Sequence, residues 1–184
     1  MTFVKQALVA AVVLVTPFTV MTLAQGKPGQ TALAAGPVIV VETVKGTIEF
    51  ETYPKDAPKT VEHILALVKR NFYNGQRVHR VVPGFVVQFG DPQTRDMTKQ
   101  DRWGTGGSGR PIGAAEVKRT HGAGAVAMAH GGDPAKADSQ MYITLAPQPS
   151  LDKGYTVFGQ VISGMDVVRK LAVTDVIRRI TVKP

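Results

Sequence analysis

The chain contains no cysteine. That excludes disulfide bonds, thiolate nucleophiles and cysteine-ligated metals, and it leaves an exported form to be stabilised by its core alone. Aromatic residues are also scarce, at 7% with a single tryptophan, and no stretch holds five or six like charges in a row. The formal charge is +8, from 22 Lys and Arg against 14 Asp and Glu. Those charges are dispersed and nowhere interleaved with several aromatics, so the pattern of a nucleic-acid-binding surface is missing. Charge alone argues only for a weak pull toward anionic membrane surfaces. No segment repeats at a fixed period. What the chain does have is turn-forming residues, with 19 Gly and 12 Pro among its 184 residues. With 43% hydrophobic residues, that balance favours one β-rich domain over a helical bundle.

After Lys5, residues 7–24 are apolar except for Thr16, Thr19 and Thr22, and Pro17 interrupts them. A basic start followed by an apolar core is the layout of a secretory signal peptide. Small residues place cleavage after Ala24 or later, near Ala34. The rival reading is an uncleaved membrane anchor, since about eighteen apolar residues only just span a bilayer. A buried core helix would carry a polar face, which this segment lacks. Residues 25–36, rich in Gly, Ala, Gln and Pro, read as a flexible linker, and the folded domain is expected over 37–184. Both readings make the protein exported, either free in the periplasm or tethered to a membrane and facing it.

Residues 38–43 form a β-branched run, and Thr47-Ile48-Glu49-Phe50-Glu51 alternates strictly; with Lys45-Gly46 between them they predict a hairpin. Asp56 and Pro58 signal a helix start, after which Val61, Ile64, Leu65 and Val68 recur at helical spacing up to Asn71. Further strands are expected at 77–82, 85–89, 125–129, 140–145, 156–162 and 178–182, with a second short helix at 166–171. Many short strands with one early and one late helix predict a closed antiparallel barrel capped at its ends.

Several familiar chemistries are excluded. Gly104-Thr105-Gly106-Gly107-Ser108-Gly109 has dinucleotide-fingerprint spacing. No helical pattern follows it to place an amino terminus against a phosphate, so it reads as a glycine-rich surface loop. His63, His79, His121 and His130 make no metal-binding motif, and no serine sits in a nucleophile elbow. Neither a metal nor a cofactor is expected.

The run Val78-His79-Arg80-Val81-Val82-Pro83-Gly84-Phe85, continued by Gln88 and Gly90-Asp91, closely resembles the cyclophilin family of peptidyl-prolyl isomerases. Three more segments agree in order and spacing: Gly104-Thr105-Gly106-Gly107; Ala127-Met128-Ala129 followed by Ser139-Gln140; and Val157-Phe158-Gly159. The likeness spans about residues 38–182. It implies an eight-stranded antiparallel barrel closed by two helices, with a peptide groove on its outside. It further implies Arg80 as the catalytic arginine, Phe85 as the floor of a proline pocket and Gln88 as the amide that orients arginine and substrate. Val86, Met128, Ala129, His130, Tyr142, Leu151 and Tyr155 fall where the family binds substrate. Ser150, Tyr155 and His130 stand where many members have tryptophan, histidine and asparagine, and Val86 and Phe89 replace a common methionine and glycine. The missing indole at Ser150 implies weak binding of the cyclic peptide cyclosporin.

The implied reaction suits these residue types. Rotation about an X-Pro bond breaks no covalent bond but crosses a barrier of about 18–20 kcal/mol, at which the proline nitrogen stops sharing its lone pair with the carbonyl. A donor aimed at that nitrogen binds the twisted state and not the planar one, which is the condition for raising turnover. Arginine stays protonated at any working pH and donates through a planar fork. The implied partners are proline-containing unfolded or partly folded polypeptides, and the protein is expected to act as a monomer. The alternative is a proline-peptide-binding chaperone with little turnover. One geometric condition follows: in a regular strand Phe85 and Gln88 point to opposite faces, so the Pro83-Gly84 turn must carry its irregularity past Phe85.

Overall fold

A computed structural model describes residues 36–184. The signal or anchor expected at 1–24 and nearly all of the linker at 25–36 lie outside the described residues. Among the described residues no helix is long and apolar enough to cross a membrane.

The expected hairpin is formed by β1 (Val38–Thr43) and β2 (Gly46–Thr52), registered Val41 against Ile48 and Thr43 against Gly46. Its turn is closed by the Thr43 hydroxyl, which donates to the Gly46 carbonyl and accepts the Lys45 N–H. The first helix, α1 (Pro58–Lys69), buries Val61, Ile64, Leu67 and Val68 and starts on proline, whose missing N–H is harmless there. Asp56 does not cap it; its carboxylate pairs with Arg119. The open N–H groups of Lys59 and Thr60 instead donate to Glu116 at 3.0 and 2.9 Å, a carboxylate brought from a distant loop to the positive end of the helix.

The remaining elements are β3 (Arg80–Val82), β4 (Val86–Phe89), β5 (Ala125–Met128), β6 (Met141–Thr144), β7 (Val157–Ser163), α2 (Met165–Lys170) and β8 (Ile177–Val182). The strands form one eight-stranded antiparallel sheet in the order β3-β4-β6-β5-β7-β2-β1-β8. Short 3-10 turns at Pro92–Arg95, Met97–Arg102, Pro134–Lys136 and Pro149–Leu151 fill segments that had no pattern in the sequence.

The expectation of a closed barrel is corrected by the pairing. β3 and β8 are sheet edges, joined only through an isolated bridge between Arg77 and Val176 and a few main-chain bonds such as Val78 N–H to the Asp175 carbonyl. β3 was expected from residue 77, but its ladder begins at Arg80. On the facing side Thr174 has φ +79°, which bends the chain before β8 and prevents a continuous ladder.

Alternation along β4, β5 and β6 divides the apolar residues in two. Val87, Phe89, Val126, Met128, Met141 and Ile143 join the main core with Phe50 and Phe158. Val86, Ala125, Ala127 and Tyr142 face the other way and form a smaller cluster with Val157, flanked by Phe85, Ala129, Leu151 and Tyr155. That second cluster underlies the site.

Candidate active site

The geometry starts at the turn between β3 and β4. Phe85 N–H donates to the Val82 carbonyl at 3.0 Å, and Gly84 has φ +70°. Proline second and a positive-φ glycine third make a type II turn. Phe85 therefore belongs to the turn and not to the ladder, and its ring reaches the same pocket as Gln88. The irregularity that the sequence required past Pro83-Gly84 is present.

Arg80 and Gln88 are paired across the ladder. Arg80 Nη1 donates to Gln88 Oε1 at 3.3 Å, and its guanidinium lies 5.7 Å from the centre of the Phe85 ring. None of the ion pairs among the described residues uses Arg80. The Gln88 amide is fixed in turn: its Nε2 donates to Gln140 Oε1 at 2.9 Å, and Gln140 Nε2 donates to the carbonyls of Gly104 and Gly106 at 2.9 and 2.8 Å. Those glycines send their own N–H groups to Asp91 Oδ2 at 2.7 and 3.0 Å, and Asp91 is fully buried. Every donor in this line points the same way, so the Gln88 oxygen faces Arg80. Gln140 and Asp91 were not singled out as site residues; both sit in the quoted motifs, but side chains that only hold other side chains leave no chemical signature of their own.

Arg80, Phe85, Val86, Gln88, Ala129, His130, Tyr142, Leu151 and Tyr155 line one pocket of about 280 Å³. Nine of the ten sequence-derived residues are thus brought together. Met128 is not among them. It pairs with Met141, points away from Ala127 and Ala129, and is fully buried in the main core. It supports the groove from behind and is corrected to a core residue.

Rings and hydroxyls make up the far wall. His130 stacks on Tyr155, with ring centres 4.3 Å apart. Its Nδ1 accepts the Gly132 N–H at 3.1 Å, so Nε2 carries the proton and donates to the Gly154 carbonyl at 2.9 Å. Burial pushes the Tyr142 phenol well above its ordinary pKa, so it stays protonated. Burial also lowers the pKa of His79, beside Arg80, and keeps that ring neutral. A second cavity of about 460 Å³ shares Gln88, Ala129 and His130 with the first and is bordered by the loop at 104–107, Lys136 and Asp138. The glycine-rich loop is therefore a groove wall.

A sheet of this order with an arginine, an amide and an apolar pocket on its outer face defines a class, and the comparisons with known proteins agree. The sequence model of the family described as cyclophilin type peptidyl-prolyl cis-trans isomerase/CLD matches residues 38–184. A probable peptidyl-prolyl cis-trans isomerase of Brucella abortus is 39% identical over 177 residues, 93% of this chain and 86% of the relative. Peptidyl-prolyl cis-trans isomerase B of Bacillus subtilis is 41% identical over 139 residues, 74% and 90% of the two chains. A crystal structure of a cyclophilin type peptidyl-prolyl cis-trans isomerase from Cryptosporidium parvum superposes with TM-score 0.71 at 24% identity, covering 80% of this chain and 98% of its own. The same protein was also solved in the presence of the dipeptide Ala-Pro, again with TM-score 0.71. The chain belongs to the cyclophilin-type peptidyl-prolyl cis-trans isomerases, enzymes that interconvert the two forms of the peptide bond before proline.

Proposed function

We propose that the 280 Å³ pocket holds the proline ring of an extended polypeptide and that Arg80 donates to the proline nitrogen as the amide twists. One observation carries this reading: the Arg80 guanidinium is aligned over Phe85 by Gln88 while none of the described carboxylates neutralises it. A guanidinium that commits one N–H to Gln88 and is neutralised by no described carboxylate keeps further donors free to meet an acceptor that exists only at the top of the barrier. Phe85, Tyr142 and Leu151 grip the ring, and Ala129 leaves room for the substrate backbone beside it. Water excluded from such a pocket strengthens the arginine's contact. Unassisted exchange takes about 10–100 s, slow enough to limit folding. The clients are unfolded or partly folded chains with exposed X-Pro bonds. The apolar pattern of residues 7–24 supports export to the periplasm, with cleavage or with a retained tether, and the enzyme acts as a monomer. Comparing cis–trans exchange in a proline tetrapeptide between the wild-type protein and Arg80→Ala tests the mechanism.

A further inference from the structure

Behind the pocket, three side chains form a hydrogen-bonded chain of which the proposed reaction uses only the ring of Tyr142. The Tyr142 hydroxyl lies 3.0 Å from His121 Nε2, and His121 Nδ1 lies 2.9 Å from Asp152 Oδ1. The same Asp152 oxygen accepts the main-chain N–H of His121 at 2.8 Å. The His121 side chain has no solvent exposure at all. The direction of the bonds follows from the groups. Asp152 is held below its ordinary pKa by the hydrogen bond from His121, so it is a carboxylate that only accepts. Nδ1 must therefore carry the proton, Nε2 offers its lone pair, and the Tyr142 O–H donates to it.

A buried tyrosine needs some partner for its hydroxyl, and that need alone would account for one hydrogen bond. The arrangement goes further, because each end of the chain belongs to a different wall of the pocket. Tyr142 stands on β6, and Asp152 directly follows Leu151. The His121 carbonyl accepts the Gln148 N–H at 2.8 Å, and the Gln148 side-chain amide donates to the Gly84 carbonyl at 2.9 Å, in the turn that carries Phe85. Tyr142 and the Leu151 turn are thus tied to one buried imidazole, and the turn that carries Phe85 is tied through Gln148 to the main chain of the same residue.

We propose that His121 is a positioning residue for the isomerase: oriented by Asp152, it fixes the Tyr142 ring and the Leu151 turn so that the proline pocket is preformed. It touches no substrate. A preformed wall reduces what binding must spend on ordering side chains, so its loss weakens substrate binding while leaving the Arg80 donor in place. The inference rests on the reading of this cleft as the proline site.

The test uses the full chain and four variants: Arg80→Ala, Tyr142→Phe, His121→Ala and the double variant Tyr142→Phe with His121→Ala. Steady-state exchange of a proline tetrapeptide gives KM and kcat separately. Tyr142→Phe removes one oxygen and leaves the ring, and is expected to raise KM about five-fold, the size of one lost hydrogen bond, with kcat within about two-fold. His121→Ala is expected to raise KM at least as much, since it also removes the bond to Asp152, and the double variant to be no worse than His121→Ala, because the Tyr142 bond is already lost there. Multiplying effects in the double variant, or an unchanged KM in Tyr142→Phe, would overturn the proposal. If His121→Ala does not fold, as judged by circular dichroism, Tyr142→Phe decides alone. Wild-type kcat in Arg80→Ala would instead sink the proline-site reading, and this inference with it.

Discussion

Gln88 faces Arg80 across the β3–β4 ladder, and the Gln88 side-chain oxygen accepts a hydrogen bond from the arginine at 3.3 Å while its nitrogen is committed to Gln140 at 2.9 Å. The Arg80 guanidinium is therefore aimed by an amide that cannot flip without breaking a second bond. Removing the outer support is expected to misaim the arginine without unfolding the sheet. Gln140→Ala should lower kcat/KM about three- to ten-fold, the worth of roughly one hydrogen bond, with little change in melting temperature. Paired kinetic and thermal measurements on that variant decide it.

A pH effect on stability follows from His79. Burial lowers its pKa in the folded protein, so the unfolded chain binds a proton more readily as pH falls below about 6.5. The neutral, folded form is favoured above that pH, and the stability it contributes is lost as pH drops toward the depressed folded value. Melting temperature is expected to fall between pH 7 and pH 5, and to fall less steeply in His79→Asn. Equal slopes for the two proteins would exclude His79 as the source.

Asp152 adds a second, more acidic window. Its pKa is lowered by the hydrogen bond from His121, so its contribution is complete above the ordinary carboxylate range, near pH 4, and is lost as pH falls through the lower folded value. Asp152→Asn should therefore leave the pH dependence of stability unchanged above about pH 5 and flatten it below about pH 4. Acid titrations followed by fluorescence make the comparison.

Strain sits away from the pocket, at Thr174. It is β-branched with φ +79°, yet its N–H donates to the Val78 carbonyl and its own carbonyl accepts from Arg77, so the backbone is held there by both its groups. Thr174→Gly keeps both bonds and relieves the side chain. It should stabilise the protein by about 0.5–1 kcal/mol, after allowing for the greater freedom of glycine in the unfolded chain. A melting temperature at or below that of the wild type would contradict this.

Ser150 lies exposed on the Pro149–Leu151 turn, beside Leu151 at the pocket. With no indole at this position, inhibition by cyclosporin is expected to be weak. Ser150→Trp supplies a flat apolar surface and an N–H donor, and should tighten inhibition about ten-fold or more.

The strands, the two helices and the pocket residues were legible because alternation, helical spacing and ordered motifs act over short stretches of chain. Phe85 and Gln88 were expected on one groove only if the Pro83-Gly84 turn stayed irregular through Phe85, and the turn does so. Long-range effects were not legible. Asp56 looked like a cap from its position, but Glu116 takes that role because the fold carries it to the helix end. Met128 sat in a matching motif, yet the two-residue period of β5 turns it into the core while Ala127 and Ala129 face the groove. Closure of the barrel depended on residues 76–78 meeting 174–177 as a ladder, and beside the bend at Thr174 that contact is one isolated bridge with a few main-chain bonds around it. His121, Asp152 and Gln140 could be found only once side chains from separate loops were placed together.

The most direct test of the central claim is the exchange rate of a proline tetrapeptide with wild-type protein and with Arg80→Ala, each checked for folding by circular dichroism. If Arg80 stabilises the twisted amide, the variant keeps its fold and loses roughly 2–4 kcal/mol of transition-state stabilisation, about 30- to 1,000-fold in kcat/KM. Equal rates for the two folded proteins would contradict it.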